Sequence, residues 1–161
     1  MAKFEILPVG GGDAEWVESY IKERWSGSEV VVHGEIHYPR HLPGFLALLD
    51  GERVGLVTYQ ISGDACEIVT LDSNRPGMGI GAALVTAVRQ EAVRAGCRRL
   101  WLISTNDNLD ALRFYQKRGF LLVAIHREAV DEARKLKPAI PQVGFYGIPV
   151  RDEIELEMDL K

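Results

Sequence analysis

Apolar positions alternate along some stretches of the chain and recur every third or fourth residue along others, and these two periods divide it into strands and helices. Residues 4–7 read as a short first strand, closed by Pro8 and the glycines at 10, 11 and 12. Asp13 then opens a predicted helix reaching about Trp25, with Trp16, Val17, Tyr20, Ile21 and Trp25 on its apolar side and an acidic outward face. Residues 30–38 alternate in part. Read as extended, they place His33, Glu35 and His37 on one side and Val32, Gly34, Ile36 and Tyr38 on the other, before Pro39 and Pro43 interrupt. Residues 45–49, the Asp50-Gly51 pair and residues 53–61 read as a hairpin, since Asp-Gly between two apolar runs is a strong local signal for one.

The most informative stretch is next. Residues 67–73 are short and rich in β-branched side chains, and Asn74, Arg75, Pro76 and Gly77 punctuate them. From Ile80 the apolar residues Ala83, Leu84, Ala87 and Val88 follow helical spacing, leaving Arg89, Gln90, Glu91 and Arg94 outside the stripe. Glycines at 77, 79 and 81 allow close backbone approach where a helix start offers unpaired N–H groups and its positive dipole end, which is chemistry for a diphosphate. The same spacing, Gly77-x-Gly79-x-x-Ala82, also satisfies the dinucleotide fingerprint, with Asp107 near the distance of a ribose-binding acid. Position disfavours that reading, because such domains usually open with this unit and here some sixty-five mostly strand-like residues precede it.

Gly96 is placed to stop this helix, and residues 100–105 form the next strand, parallel to the first through a right-handed crossover. A helix from Asn106 or Asn108 through Arg118 ends at Gly119-Phe120, followed by a strand at 121–126 and helical composition at 129–137. Pro138, Pro141, Gly144, Gly147 and Pro149 mark an irregular excursion, which leaves room for a homodimer contact. Residues 153–160 alternate charged with apolar and read as a last, half-exposed strand.

Composition narrows the function classes. The 161 residues are 47% hydrophobic and 26% charged, as in ordinary soluble domains, and read as one domain spanning 1–161. A formal net charge of −4 provides no general attraction to nucleic acid or anionic membrane, so an anionic ligand must be held by local geometry. Two cysteines, Cys66 and Cys97, are too few for a disulfide framework. With no secretion signal and no apolar run of membrane-spanning length, the expectation is a soluble cytoplasmic protein with small-molecule or protein partners.

Asn108, Ala111, Phe114-Tyr115 and Gly119-Phe120, taken with the loop 76–81 in the same order and spacing, resemble the GNAT family of acetyl-CoA-dependent N-acetyltransferases. The upstream Asp50-Gly51 hairpin and the alternating C-terminal strand fall where that family has them, so the resemblance covers nearly the whole chain. It implies an α/β fold whose mixed, mostly antiparallel sheet is splayed between two parallel central strands and flanked by helices. One departure is Pro76, where the family usually has Arg or Gln directly before the first glycine; proline has no amide to donate.

The resemblance also implies roles. Acetyl-CoA would meet the backbone of Leu71, Asp72 and Ser73, the loop at Gly77, Met78, Gly79, Ile80, Gly81 and Ala82, and the helix face of Asn108, Ala111 and Tyr115, whose spacing of three and four puts them together. Tyr115 would be the general acid for the leaving thiolate. Taken alone, Asn108 reads equally as a helix cap and Tyr115 as a packing residue. Glu67 stands where the histone-acetyltransferase branch carries its glutamate base, in a similar Glu-Ile-Val run; an exposed strand glutamate is the alternative.

Direct attack by an amine needs a group to remove its proton. The expected acceptor is a small cationic amine or a peptide amine, with His33, Glu35 and His37 lining its pocket and Glu35 recognising the ammonium. His33, His37 and His41 would suit metal ligation on a helix, but Pro39 and the β-branched run argue against a helix there, and no metal is expected. A non-catalytic acyl-CoA-binding sensor on the same fold is the competing function.

Overall fold

The computed structural model describes residues 3–161. In chain order its elements are β1 (Phe4–Pro8), α1 (Ala14–Trp25), β2 (Val30–Val32), β3 (Glu35–His37), β4 (Gly44–Leu49), β5 (Glu52–Ser62), β6 (Ala65–Ser73), α2 (Ile80–Arg94), β7 (Arg99–Thr105), α3 (Leu109–Lys117), β8 (Leu121–His126), α4 (Ala129–Leu136) and β9 (Glu153–Asp159). Seven strands form one sheet in the order β1-β4-β5-β6-β7-β9-β8, and β2 with β3 forms a separate hairpin. The β6–β7 pair is parallel, and the other described pairs are antiparallel. This is the mixed, mostly antiparallel sheet that the motifs imply. No described helix is long and apolar enough to cross a membrane.

Helices cover both faces of the sheet. On one, Leu84 and Val88 of α2, Tyr115 of α3 and Phe120 just beyond α3 pack in one core with Val57, Ile68, Leu100 and Leu102. On the other, α1 buries Val17, Tyr20 and Ile21 against Val30, Leu56 and Val69. Removing side chains of this kind from water contributes roughly 1.5–3 kcal/mol each, which is what commits α1 to the sheet. Lys137, buried after α4, donates from Nζ to the carbonyls of Trp25 and Glu29, each at 2.5 Å, and so satisfies the C-terminal end of α1 with a cation. Cys66 and Cys97 are buried and free.

Two hairpin turns have the same backbone form. Asp50 and Gly51 lie at φ 52° and 79° between the paired Leu49 and Glu52, as expected for Asp-Gly. His33 and Gly34 lie at φ 51° and 78° between the paired Val32 and Glu35. Residues 30–38 therefore do not run as one extended strand. The chain reverses at His33, which is exposed in the turn, while Glu35 pairs across from Val32 and His37 is buried opposite Val30. The partial alternation was produced by two three-residue strands on either side of a turn whose first residue is histidine rather than the usual Asn or Asp.

The last strand also differs from its expectation. Instead of lying half exposed, β9 inserts between β7 and β8, so Ile154 and Leu156 join the core and even Glu153 is only 3% exposed. Of its charged residues Glu155 faces a polar cavity and Glu153 is buried, while Asp159 at the far end is exposed.

The feature that positions the site is at the centre of the sheet. Tyr59 pairs with Ile68 and Thr58 with Thr70, leaving Val69 as an extra residue in β6. Such a bulge bends its strand and sharpens the local twist. Ile68 and Leu102 are the last partners of the parallel pair, although β6 continues to Ser73 and β7 to Thr105. Past the bulge the two strands separate. Thr58 and Thr70 hydrogen-bond through their hydroxyls at 2.7 Å, so the buried polar groups beside the bulge are satisfied.

Candidate active site

Beyond Leu102, β6 keeps β5 as a partner on one edge, through Val57–Leu71, Leu56–Asp72 and Gly55–Ser73, and has none on the edge facing β7. Residues 69–73 thus hold backbone polar groups open to a ligand, next to the loop that leads into α2. In that loop Gly77 and Gly79 have φ of 81° and 80°, with Gly79 the N-cap of α2. A Cβ at either position would meet no heavy atom within 4 Å, so backbone conformation, not crowding, requires glycine there. Gly81 is different: a Cβ there would lie 3.3 Å from the Phe114 ring, so its small size lets α3 pack on the first turn of α2. Arg75 is turned away to Glu52 at 3.2 Å.

Asn108 is the N-cap of α3, its Oδ1 accepting from the Ala111 N–H at 3.2 Å; the capping use foreseen from local sequence is realised, and its amide NH2 is left over. Ala111 and Tyr115 follow on the same side of α3, half-buried and buried respectively. The Tyr115 ring is held edge-on between Phe114 at 5.1 Å and Phe120 at 5.3 Å. Burial, and then the Asp72 carboxylate, push the Tyr115 hydroxyl well above the usual phenol range, so it keeps its proton. Asp72 accepts from Trp25 Nε1 at 2.8 Å, and burial raises its carboxyl to about 6 against that hydrogen bond.

On the α1 face of the sheet a cavity of about 270 Å³ opens beneath the β2–β3 hairpin. Its floor is Gln60 and Ser62 of β5, Ala65 and Glu67 of β6, Arg99 and Trp101 of β7 and Glu155 of β9; Val32, His33 and Glu35 overhang it. Glu67 is 8% exposed and Glu35 has a side chain 66% exposed, so the first lies deep and the second at the mouth. Burial, with Glu35 and Glu153 adding like charge, raises the Glu67 carboxyl to about 7 against the opposing pull of Arg99. Near neutral pH it can accept and return a proton. Glu155 is in the opposite state: burial works against ionisation, but hydrogen bonds from His126 and Arg99 hold it below the usual carboxylate range.

Of the residues predicted for the acceptor pocket, Glu67, His33 and Glu35 come together and His37 does not. His37 is buried, 3.6 Å from Glu35, its Nε2 lacks a hydrogen-bond partner, and burial lowers its pKa. His41 lies in a single 3-10 turn after Pro39, and the histidines at 33, 37 and 41 form no ligand cluster. Asp107 does not stand free for a ribose: it is buried, accepting from Thr105 Oγ1 at 2.6 Å and from the Phe145 N–H at 3.0 Å, and it pins the irregular excursion to the end of β7. The sequence reading missed Gln60, Arg99, Trp101 and Glu155. The signal for two of them was present, since Arg99 and Trp101 are two apart and share the face that Glu67 uses across the parallel pair.

The sequence profile described as Acetyltransferase (GNAT) family matches residues 13–120. The protein YdhI of Bacillus subtilis, described as uncharacterized, is 44% identical over 150 residues, covering 92% of this chain and 94% of that protein. YxbD of the same organism, also described as uncharacterized, is 38% identical over 157 residues, covering 97% and 99%. Among solved structures, an IAA acetyltransferase from Bacillus cereus superposes with a TM-score of 0.75 at 20% identity over 98% of this chain and 99% of its own. A GNAT family acetyltransferase from Elizabethkingia anophelis with acetyl-CoA bound gives 0.71 at 20% identity over 97% of each. The chain belongs to the GNAT family of acetyltransferases.

Proposed function

We propose that the protein is an acetyl-CoA-dependent N-acetyltransferase acting on a primary amine, a small cationic amine or a peptide amine, by direct attack. The observation that carries this reading is the separation of β6 from β7 beyond Ile68 and Leu102. It leaves an open backbone edge between the glycine loop and a cavity holding a buried carboxylate of raised pKa. Several structural neighbours are described as bound to acetyl-CoA or CoA, which supports the donor.

In this reading the amides from Met78 to Ala82 and the N-terminus of α2 receive the diphosphate, while the pantetheine arm runs along the open edge at Leu71, Asp72 and Ser73 and past Asn108 and Ala111. The ammonium enters past Glu35, and Glu67, directly or through water, removes one proton. The neutral nitrogen attacks the thioester carbonyl, forming the N–C bond, and backbone N–H groups at the open edge stabilise the oxyanion. Collapse breaks the C–S bond, Tyr115 gives its proton to the departing thiolate, and the surplus proton on the acylated nitrogen passes through water to restore the Tyr115 hydroxyl, while Glu67 returns its own to solvent.

The experiment is CoA thiol release with acetyl-CoA and a panel of primary amines, with acetylated product identified by mass. Amine-dependent release supports the reading. CoA binding without release above hydrolysis across the panel would leave an acyl-CoA-binding module.

A further inference from the structure

Three side chains at one side of the cavity have no step assigned in the proposed transfer. His33 from the β2–β3 turn, His126 at the end of β8 and Glu155 in β9 each bring one ligand-capable atom to within 4.8 Å of the others. His126 Nε2 is already 2.9 Å from Glu155 Oε1. The His33 and His126 rings meet edge-on, centroids 4.9 Å apart at 65°, an arrangement in which their nitrogens can converge rather than stack.

Each of two groups also has an outer partner. Arg99 holds the second oxygen of Glu155. Glu153, buried, accepts the His33 backbone N–H at 3.1 Å and stands 3.8 Å from its Nδ1. Metal-ligating imidazoles and carboxylates characteristically have such partners, which fix their orientation. His33 also occupies a left-handed backbone position, φ 51°, where Asn would serve the turn better. The turn tolerates a histidine there without requiring one.

We propose that His33, His126 and Glu155 bind a divalent first-row transition-metal ion, zinc above all, with an open coordination position toward the cavity. Two imidazoles and one carboxylate are a donor set suited to zinc. Bonds of roughly 2.0–2.1 Å at tetrahedral angles put donor atoms about 3.3 Å apart. The 4.8 Å limit on the unliganded group therefore needs a closure of at most about 1.5 Å, supplied by an exposed histidine on a hairpin turn. Both imidazoles must be deprotonated at the ligating nitrogen, so binding releases any proton held there. The ion ties the hairpin to β8 and β9 over the cavity. If the acetyltransferase reading holds, it also sets positive charge beside Glu35 and Glu67 and competes with a cationic acceptor.

Binding is tested without reference to activity. Untagged, metal-stripped protein is titrated with Co²⁺, followed by visible ligand-field absorption, and Zn²⁺ is then added to displace it. One equivalent is expected to bind with low-coordinate band intensity and to be displaced by zinc. His33→Asn, which gives the turn a favoured Asn-Gly pair and so preserves the fold, and His126→Ala, checked by circular dichroism, should each weaken binding by about 100-fold or more. Absence of stoichiometric Co²⁺ binding by the wild type would overturn the proposal. So would unchanged affinity in His33→Asn.

Discussion

Glu67 and Trp101 stand directly opposite each other across the parallel β6–β7 pair, one step before the pair ends at Ile68 and Leu102. Opposed residues of a pair point to the same face, and both side chains line the cavity on the α1 side. In the proposed function, a buried carboxylate beside an indole, next to the point where two strands part, would give the amine one wall to lie against and one group to lose a proton to. This relationship sets the expectations below.

Glu67→Gln should lower kcat by about 100-fold or more with little change in acetyl-CoA affinity. Glu67 must be ionised to act as a base and its carboxyl stands at about 7, so wild-type kcat should rise with pH through neutrality. That limb should be absent from the variant. Steady-state kinetics across pH with the best amine found checks both points.

The same shift has a consequence for stability, of opposite sign to the usual carboxylate case. The native carboxyl, at about 7, binds its proton more tightly than the unfolded one, at 4.5, so the native state holds more protons between those values. Stability is therefore lost as pH rises through that window. Glu67→Gln should raise stability at pH 8 by on the order of 1 kcal/mol after allowance for solvent screening, and Tm with it, and change both little at pH 4. Thermal melts at both pH values decide.

Tyr115→Phe should keep the packing against Phe114 and Phe120 while lowering kcat by about 100-fold or more. Unchanged turnover with chemistry rate-limiting would give the proton to water or another group.

Asn108→Ala separates two uses of one residue. Loss of the cap on the Ala111 N–H should cost about 1 kcal/mol of stability. If the leftover amide also meets the donor, CoA affinity should fall as well; calorimetry together with melts distinguishes the two.

What was legible in the sequence was what is local. The glycine loop leading into α2, the Asp50-Gly51 turn, the Asn108 cap and the Gly119 stop each depend on neighbours a few residues away, and all four are in the fold. The Val69 bulge left no mark, because only register against β5 reveals it. His33-Gly34 was missed as a turn because histidine is an uncommon first residue for it. The cavity was half legible. Glu67, His33 and Glu35 could be named, whereas Glu155 enters only because β9 inserts beside β7, a topological fact carried by no residue near Glu67.

Gly79→Asp is the most direct test of the cofactor half. Its φ of 80° strains a side chain, and a carboxylate would occupy the diphosphate's place, so acetyl-CoA affinity should fall severely from a micromolar value of about −8 kcal/mol. Calorimetry showing unchanged affinity would remove the loop from the site.

The central claim is transfer from a thioester to an amine across the gap between β6 and β7. It is tested most directly by single-turnover mixing of acetyl-CoA-loaded protein with the best amine, following free CoA thiol and N-acetyl product together. Wild type should release one thiol per acetylamine formed, and Tyr115→Phe and Glu67→Gln should slow both signals equally without changing that ratio. Thiol release with no N-acetyl product, or product formation at the same rate in wild type and both variants, would contradict the account.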